Sequence, residues 1–118
     1  ASCHTPRYQL PQRPDMAEQS GQVIWPYSDL LLHDMGEGLA DHRPEAQASG
    51  REWRTPPLWG IGRAKQIDPR AQFLHDGRAR TILEAVLWHG GEAEAARNSV
   101  TLLPPSERRK LLAFLKSL

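Results

Sequence analysis

The clearest hydrophobic pattern lies in the last third of the chain, where apolar residues recur at helical spacing. Residues 81–84, Thr-Ile-Leu-Glu, form a capping box, in which the threonine hydroxyl accepts a bond from an amide and the glutamate reaches back. The pattern predicts a helix that begins at Thr81 and ends at His89, because Gly90 and Gly91 stop it.

Two more helices are predicted after those glycines. One runs from about residue 92 to 102, and the last begins at Ser106, behind Pro104 and Pro105. Their apolar faces are Ala93, Ala96, Val100 and Leu103 in the first helix and Leu111, Phe114, Leu115 and Leu118 in the second.

The first two thirds of the chain show no helical periodicity, and prolines and glycines interrupt them. Residues 8–22 are predicted to form a loop, and residues 23–27 are an apolar run closed by a proline, typical of an edge strand. The leucines at 30–32 are expected to be buried. Residues 40–51 are interpreted as irregular and residues 62–72 as a linker.

Composition indicates one small domain, because 118 residues with 39% hydrophobic side chains can bury only a modest core. A flat apolar cofactor would compensate for such a shortage of aliphatic residues. The net charge of +1 argues against a nucleic-acid-binding surface, and no apolar run reaches the roughly twenty residues of a membrane span. The single cysteine excludes an internal disulfide.

The candidate chemistry lies at the start, where Cys3 and His4 match the second half of a C-x-x-C-H haem-attachment motif. In that motif two thiols form thioethers with the porphyrin, and the histidine binds the iron. The first cysteine of the motif would precede Ala1. Half a motif also fits a buried thiol beside an ordinary histidine, so both interpretations stay open on these two residues.

Several segments in order are more specific than the motif alone. They are Cys-His-Thr-Pro at 3–6, Tyr-Ser-Asp-Leu-Leu-Leu-His-Asp-Met-Gly at 27–36, Arg-Thr-Pro-Pro-Leu-Trp-Gly at 54–60, Phe-Leu-His-Asp-Gly-Arg-Ala at 73–79 and Phe-Leu-Lys-Ser-Leu at 114–118. Together they resemble the C-terminal haem domain of the di-haem cytochrome c peroxidase superfamily, and within it the branch described as di-haem thiol oxidoreductases.

The resemblance implies a mostly α, cytochrome c-like helical domain with long irregular loops rich in proline and glycine. Residues 1–118 would be this single domain, a C-terminal part of a larger di-haem protein. Its haem c would relay electrons to a second haem in an N-terminal domain, and a small redox protein would be the electron donor. A periplasmic location follows from the same likeness. Two other functions remain open: a lone mono-haem electron carrier, or an interaction domain without haem.

The ligand assignments combine the motif with local sequence. His4 is the predicted proximal ligand. Met35 is the predicted sixth ligand, because it follows the leucine run and precedes a glycine, whereas Met16 lies in a polar loop. His33 is the rival ligand. His75 and His89 are more simply explained by an Asp-Gly turn and a helix end.

Other residues are predicted to border the haem. Trp53 and Trp59 would flank the porphyrin, as the superfamily resemblance implies, although large aromatic residues also fill cores. Arg54 would pair with a propionate, since a planar guanidinium suits a carboxylate, with Arg78 and Arg80 as alternatives. Related peroxidases place a methionine ligand just before the threonine-proline segment, but this chain has Glu52 at the matching position.

Overall fold

The computed structural model describes residues 2–118, which form a small mixed α/β domain. The chain is 38% helical and 12% strand. The prediction of a mostly α, cytochrome c-like fold is therefore wrong. The strands are β1 (Tyr8–Gln9), β2 (Val23–Ile24), β3 (Leu32–Asp34) and β4 (Glu52–Arg54), and the helices are α1 (Ala64–Ile67), α2 (Ile82–Trp88), α3 (Glu94–Leu102) and α4 (Pro105–Ser117).

The three predicted C-terminal helices are confirmed. Thr81 caps α2, because its Oγ1 accepts a hydrogen bond from the Glu84 amide at 3.0 Å. The Glu84 carboxylate reaches back one residue further than expected and accepts from the Arg80 amide at 2.8 Å. Helix α4 begins at Pro105, one residue before the predicted start, since proline suits the first helical position.

Two small antiparallel sheets explain why the fold differs from the prediction. Strand β1 pairs with β2, and β3 pairs with β4 so that His33 lies opposite Trp53. The Met35 amide extends the second ladder with a 2.9 Å bond to the Arg51 carbonyl. Strands of two or three residues are too short to show a clear alternation of polar and apolar positions.

The leucine run is exposed rather than buried, which corrects a second expectation. Leu31 exposes 60% of its surface, and its two neighbours are about as open. Its carbonyl accepts from the Thr55 amide at 2.9 Å, so the backbone of this segment takes part in the sheet. The predicted linker at 62–72 also contains short structure, namely a 3-10 turn followed by α1.

The buried apolar residues of the core are Leu39, in the 3-10 turn at 37–39, and Ala79, Ile82 and Ala85, in α2 and the residues just before it. The end of α4 packs beside the turn before α1, where the Gly60 amide donates to the Leu118 carbonyl at 2.9 Å. Within residues 2–118 no helix has both the length and the apolar character to cross a membrane.

Candidate functional site

His4 is held in the form that can bind a metal. Its Nδ1 lies 2.9 Å from the Tyr27 carbonyl oxygen. A carbonyl only accepts, so Nδ1 carries the proton and Nε2 keeps its lone pair. Burial lowers the pKa of His4, and the hydrogen bond to Tyr27 only partly opposes this effect. The lowered pKa favours the neutral imidazole.

A short hydrogen-bonded loop positions the Tyr27 carbonyl. The Ser28 amide donates to the Thr5 carbonyl at 3.0 Å, which ties the loop to the residue after His4. Ser28 Oγ donates to the Thr55 carbonyl at 2.7 Å and accepts from the Leu30 amide at 2.9 Å. Tyr27 and Leu30 both have positive φ, at 52° and 61°, a strained conformation that the surrounding bonds must maintain.

Cys3 is a free, half-buried thiol close to a pair of polar side chains. The possible ligand atoms of Cys3, Asp29 and His33 all lie within 4.8 Å of one another. Because Cys3 forms no disulfide, its thiol is available for covalent attachment. A thioether at Cys3 would remove it as a thiolate ligand for any other metal.

Carboxylates engage both ring nitrogens of His33. Nδ1 lies 2.8 Å from Glu92 Oε2, and Nε2 lies 2.8 Å from Asp29 Oδ2. The bond to Glu92, followed by the bond to Asp29, raises the pKa of His33. When protonated, this ring donates from both nitrogens and has no lone pair to give to iron. The geometry therefore favours a structural role for the rival ligand.

Met35, the predicted sixth ligand, is half-buried at the end of the second sheet. A side chain on Gly90 would bring its Cβ to 2.9 Å from the Met35 carbonyl oxygen. Met35 thus borders the turn that follows α2. Its role as a ligand stays a prediction.

His89, which sequence reasoning assigned to a helix end, lies beside His4. The two ring centroids are 6.5 Å apart and the planes are inclined by 50°. His89 Nδ1 lies 2.7 Å from the Ala85 carbonyl, so the helix end does fix this side chain. No sequence signal could reveal the proximity, because the two residues are far apart in the sequence and meet only through tertiary contacts.

The two tryptophans predicted to flank a haem have separate neighbours. Trp53 stacks on His75, with centroids 3.5 Å apart, and its Nε1 donates to the Leu39 carbonyl at 3.0 Å. Trp59 is 61% exposed, and its Nε1 donates to the Trp25 carbonyl at 2.7 Å. His75 therefore has an aromatic partner in addition to the Asp-Gly turn.

The arginines differ in their availability. Arg54 is exposed, and no carboxylate within the described chain forms an ion pair with it. Arg78 pairs with Asp76 at 2.6 Å, and Arg80 lies 3.8 Å from Glu84. Of these three arginines, Arg54 is thus the one whose guanidinium is most free to meet an added carboxylate. Glu52 accepts from the Ser49 amide at 2.6 Å and so stabilises a turn.

The donor set fits a haem iron. A proximal histidine normally donates its second ring N–H to a carbonyl or carboxylate, which fixes the ring and raises its basicity. His4 has this arrangement, and the adjacent Cys3 is a thiol with no disulfide partner. These residues can therefore supply a proximal imidazole and a covalent anchor.

Comparison with known proteins agrees with this chemistry. No curated protein and no solved structure matches the chain. One family model matches residues 1–118, the whole of the sequence. Haem binding is implied by the description of that family, and the chain belongs to it: di-haem oxidoreductase, putative peroxidase.

Proposed function

We propose that this chain is the haem c electron-transfer domain of a di-haem, peroxidase-like oxidoreductase. The single observation that carries the proposal is the hydrogen bond of His4 Nδ1 to the Tyr27 carbonyl, in the residue directly after Cys3. Membership of the di-haem family supports a haem as the group it holds.

The roles of the chain's own residues follow from their positions. Cys3 would hold the porphyrin through a thioether, formed by addition of its S–H across a vinyl group with the sulfur on one vinyl carbon and the hydrogen on the other. His4 presents Nε2, and the Tyr27 carbonyl keeps its ring from rotating. Arg54 offers a guanidinium for a propionate. A bound haem supplies one-electron redox chemistry between the ferric and ferrous states.

A sixth ligand from this chain makes the domain a relay. Met35 is the ligand predicted from the sequence, and an iron with two protein ligands has no open position for peroxide. In this proposal the domain is the C-terminal one, of the thiol oxidoreductase branch. It takes electrons from a small redox protein and passes them to a haem in an N-terminal domain. Its location is periplasmic. The family's two haems, set against one Cys-His pair here, support the existence of a second haem domain.

The test is to produce the protein in a host that has haem-attachment machinery. Intact mass should show a covalent haem adduct in the wild type, and Cys3→Ser should lose it. The absorption spectrum should be low-spin in the wild type, and His4→Ala should change it. His42→Ala is the matched control, because His42 is an exposed histidine that pairs with Glu37. A wild type with neither adduct nor Soret band contradicts the proposal.

A further inference from the structure

We infer that His89, rather than Met35, is the sixth ligand of the haem iron that His4 holds. This inference rests on the proposed function, because it assumes that a haem lies between the two rings. It starts from the 6.5 Å separation of the His4 and His89 ring centroids. The two histidines are far apart in the sequence, so no local pattern accounts for this separation.

The separation matches two imidazoles on opposite sides of one metal ion. With a metal–nitrogen bond of about 2 Å and a ring radius of about 1 Å, trans imidazole centroids lie about 6 Å apart. Tilted rings in direct contact lie at similar distances, as the 5.6 Å pair of Tyr27 and Phe114 illustrates, so the orientation of the ring nitrogens must support the assignment as well as the separation. The 50° angle between the planes is no obstacle, because each ring can rotate about its own metal–nitrogen bond.

Both histidines present the same nitrogen. His4 Nδ1 bonds to the Tyr27 carbonyl, and His89 Nδ1 bonds to the Ala85 carbonyl. Each carbonyl can only accept, so both rings carry their proton on Nδ1 when neutral. Both Nε2 lone pairs are then free. A carbonyl bonded to the second ring nitrogen is the usual support of a metal-bound histidine.

The chain around His89 is fitted closely to the second sheet. A Cβ on Gly90 would press on the Met35 carbonyl, and one on Gly91 would collide with the Asp34 carbonyl. The two glycines therefore let the end of α2 approach the end of β3. This close approach fixes the position of the His89 backbone. The same contacts involve the carbonyl of Met35 and leave its side chain unconstrained.

Two imidazole ligands would give this haem a lower reduction potential than an imidazole and a thioether, because a thioether favours the reduced iron. A lower potential favours donation of electrons to the second haem. Two histidine ligands therefore suit the proposed transfer of electrons from this haem to the second one.

Spectra of the haem-loaded protein test the inference. The wild type should be low-spin and should lack the near-infrared sulfur-to-iron band. Met35→Leu, which keeps an apolar side chain of similar size, should leave the spectrum and the potential unchanged. His89→Ala should turn the spectrum high-spin, and added imidazole should restore the low-spin form by binding in the space left by the ring. His42→Ala is the matched control.

The possible failures are distinguishable. A sulfur-to-iron band in the wild type that Met35→Leu abolishes would overturn this inference and leave the proposed function intact. A His89→Ala spectrum that stays low-spin would do the same. Absence of any haem would overturn the proposed function and the inference together. If His89→Ala fails to fold, the wild-type spectrum still decides whether Met35 is the ligand, because a sulfur-to-iron band would overturn the inference.

Discussion

Two regions of this molecule are held together by different interactions. The donor segment, residues 2–55, contains Cys3 and His4, and its four buried residues are Pro26, Ser28, Leu39 and Thr55. The helical segment, residues 79–117, has three buried residues, Ala79, Ile82 and Ala85, and all of them are apolar. Two of the four buried residues in the donor segment are hydroxyl side chains.

This difference in buried residues suggests that the helical segment contributes mainly to folding stability and the donor segment to the placement of the ligand side chains. Apolar packing is non-directional and scales with buried area, so the helical segment can supply free energy of folding without fixing a single side chain precisely in place. Hydrogen bonds are directional. The bonds of Ser28 hold a loop whose ends, Tyr27 and Leu30, are strained, and this loop aims a carbonyl at His4. Ligand placement therefore depends on the less apolar segment.

The largest expected effect is a fall in the free energy of unfolding caused by Ile82→Ala. Ile82 is 8% exposed at the start of α2, so truncation leaves a cavity and should lower the free energy of unfolding by about 2–5 kcal/mol. Ile67→Ala is the matched control, because Ile67 is 84% exposed and should change the value by less than about 0.5 kcal/mol. Denaturant melts measure both variants.

Equal losses in the two isoleucine variants would break the comparison. They would mean that the stability of this protein is not concentrated where α2 meets the preceding turn. A large loss of unfolding free energy in Ile82→Ala alone would support the contrast between the two segments.

The helical segment could be predicted from sequence because its signals are local. Thr81 and Glu84 lie within one helical turn of each other, and Gly90 comes just after His89, the C-cap of the helix. Each cue acts over three or four residues, so no tertiary contact is needed to interpret it.

The donor segment could be predicted only in part, because its contacts join distant residues. Trp53 pairs across the sheet with His33, and the backbones of the exposed Leu31 and Leu32 take part in the same ladder. The Cys3 and His4 motif could be recognised directly. His89 could not be placed beside it, because that contact depends on how α2 packs against the end of β3.

A smaller effect is expected from Ser28→Ala, which probes the hydrogen-bonded segment. The change removes the donor to the Thr55 carbonyl and the acceptor for the Leu30 amide at a position that is 2% exposed. Leaving buried polar groups unpaired should cost about 1–3 kcal/mol in the free energy of unfolding. Denaturant melts again provide the measurement.

Ser99→Ala is the control for that change. Its hydroxyl also donates to a carbonyl, that of Ala95, but from an exposed position on α3 where water can replace it. Alanine favours a helix, so this variant should be neutral or slightly more stable. A Ser28→Ala variant as stable as Ser99→Ala would show that hydrogen bonding does not hold the donor segment.

Arg78 joins the two segments. Its guanidinium pairs with Asp76 at 2.6 Å, donates to the Gly38 carbonyl and lies over the Trp88 ring, 4.9 Å from the centroid. Asp76 also accepts from the Arg78 amide at 3.1 Å, which forms a tight turn before α2. The carboxylate therefore orients the side chain that spans both regions.

The smallest expected effect is a dependence on acidic pH through Asp76. Desolvation on its own raises the pKa of this carboxyl, but the hydrogen bonds from the Arg78 side chain and amide outweigh it and lower the pKa from 3.8. A carboxyl with a lowered pKa stabilises the fold above its unfolded-state pKa, and this contribution is lost as the pH falls through the folded-state value. The difference in free energy of unfolding between wild type and Asp76→Asn should therefore be constant near neutral pH and shrink below pH 3.8.

Asp41→Asn is the control, since Asp41 accepts from the Arg43 amide in the same kind of turn but forms no ion pair within residues 2–118. A difference for Asp76→Asn that does not change with pH would mean that the ionised Asp76 carboxylate does not stabilise the fold through Arg78.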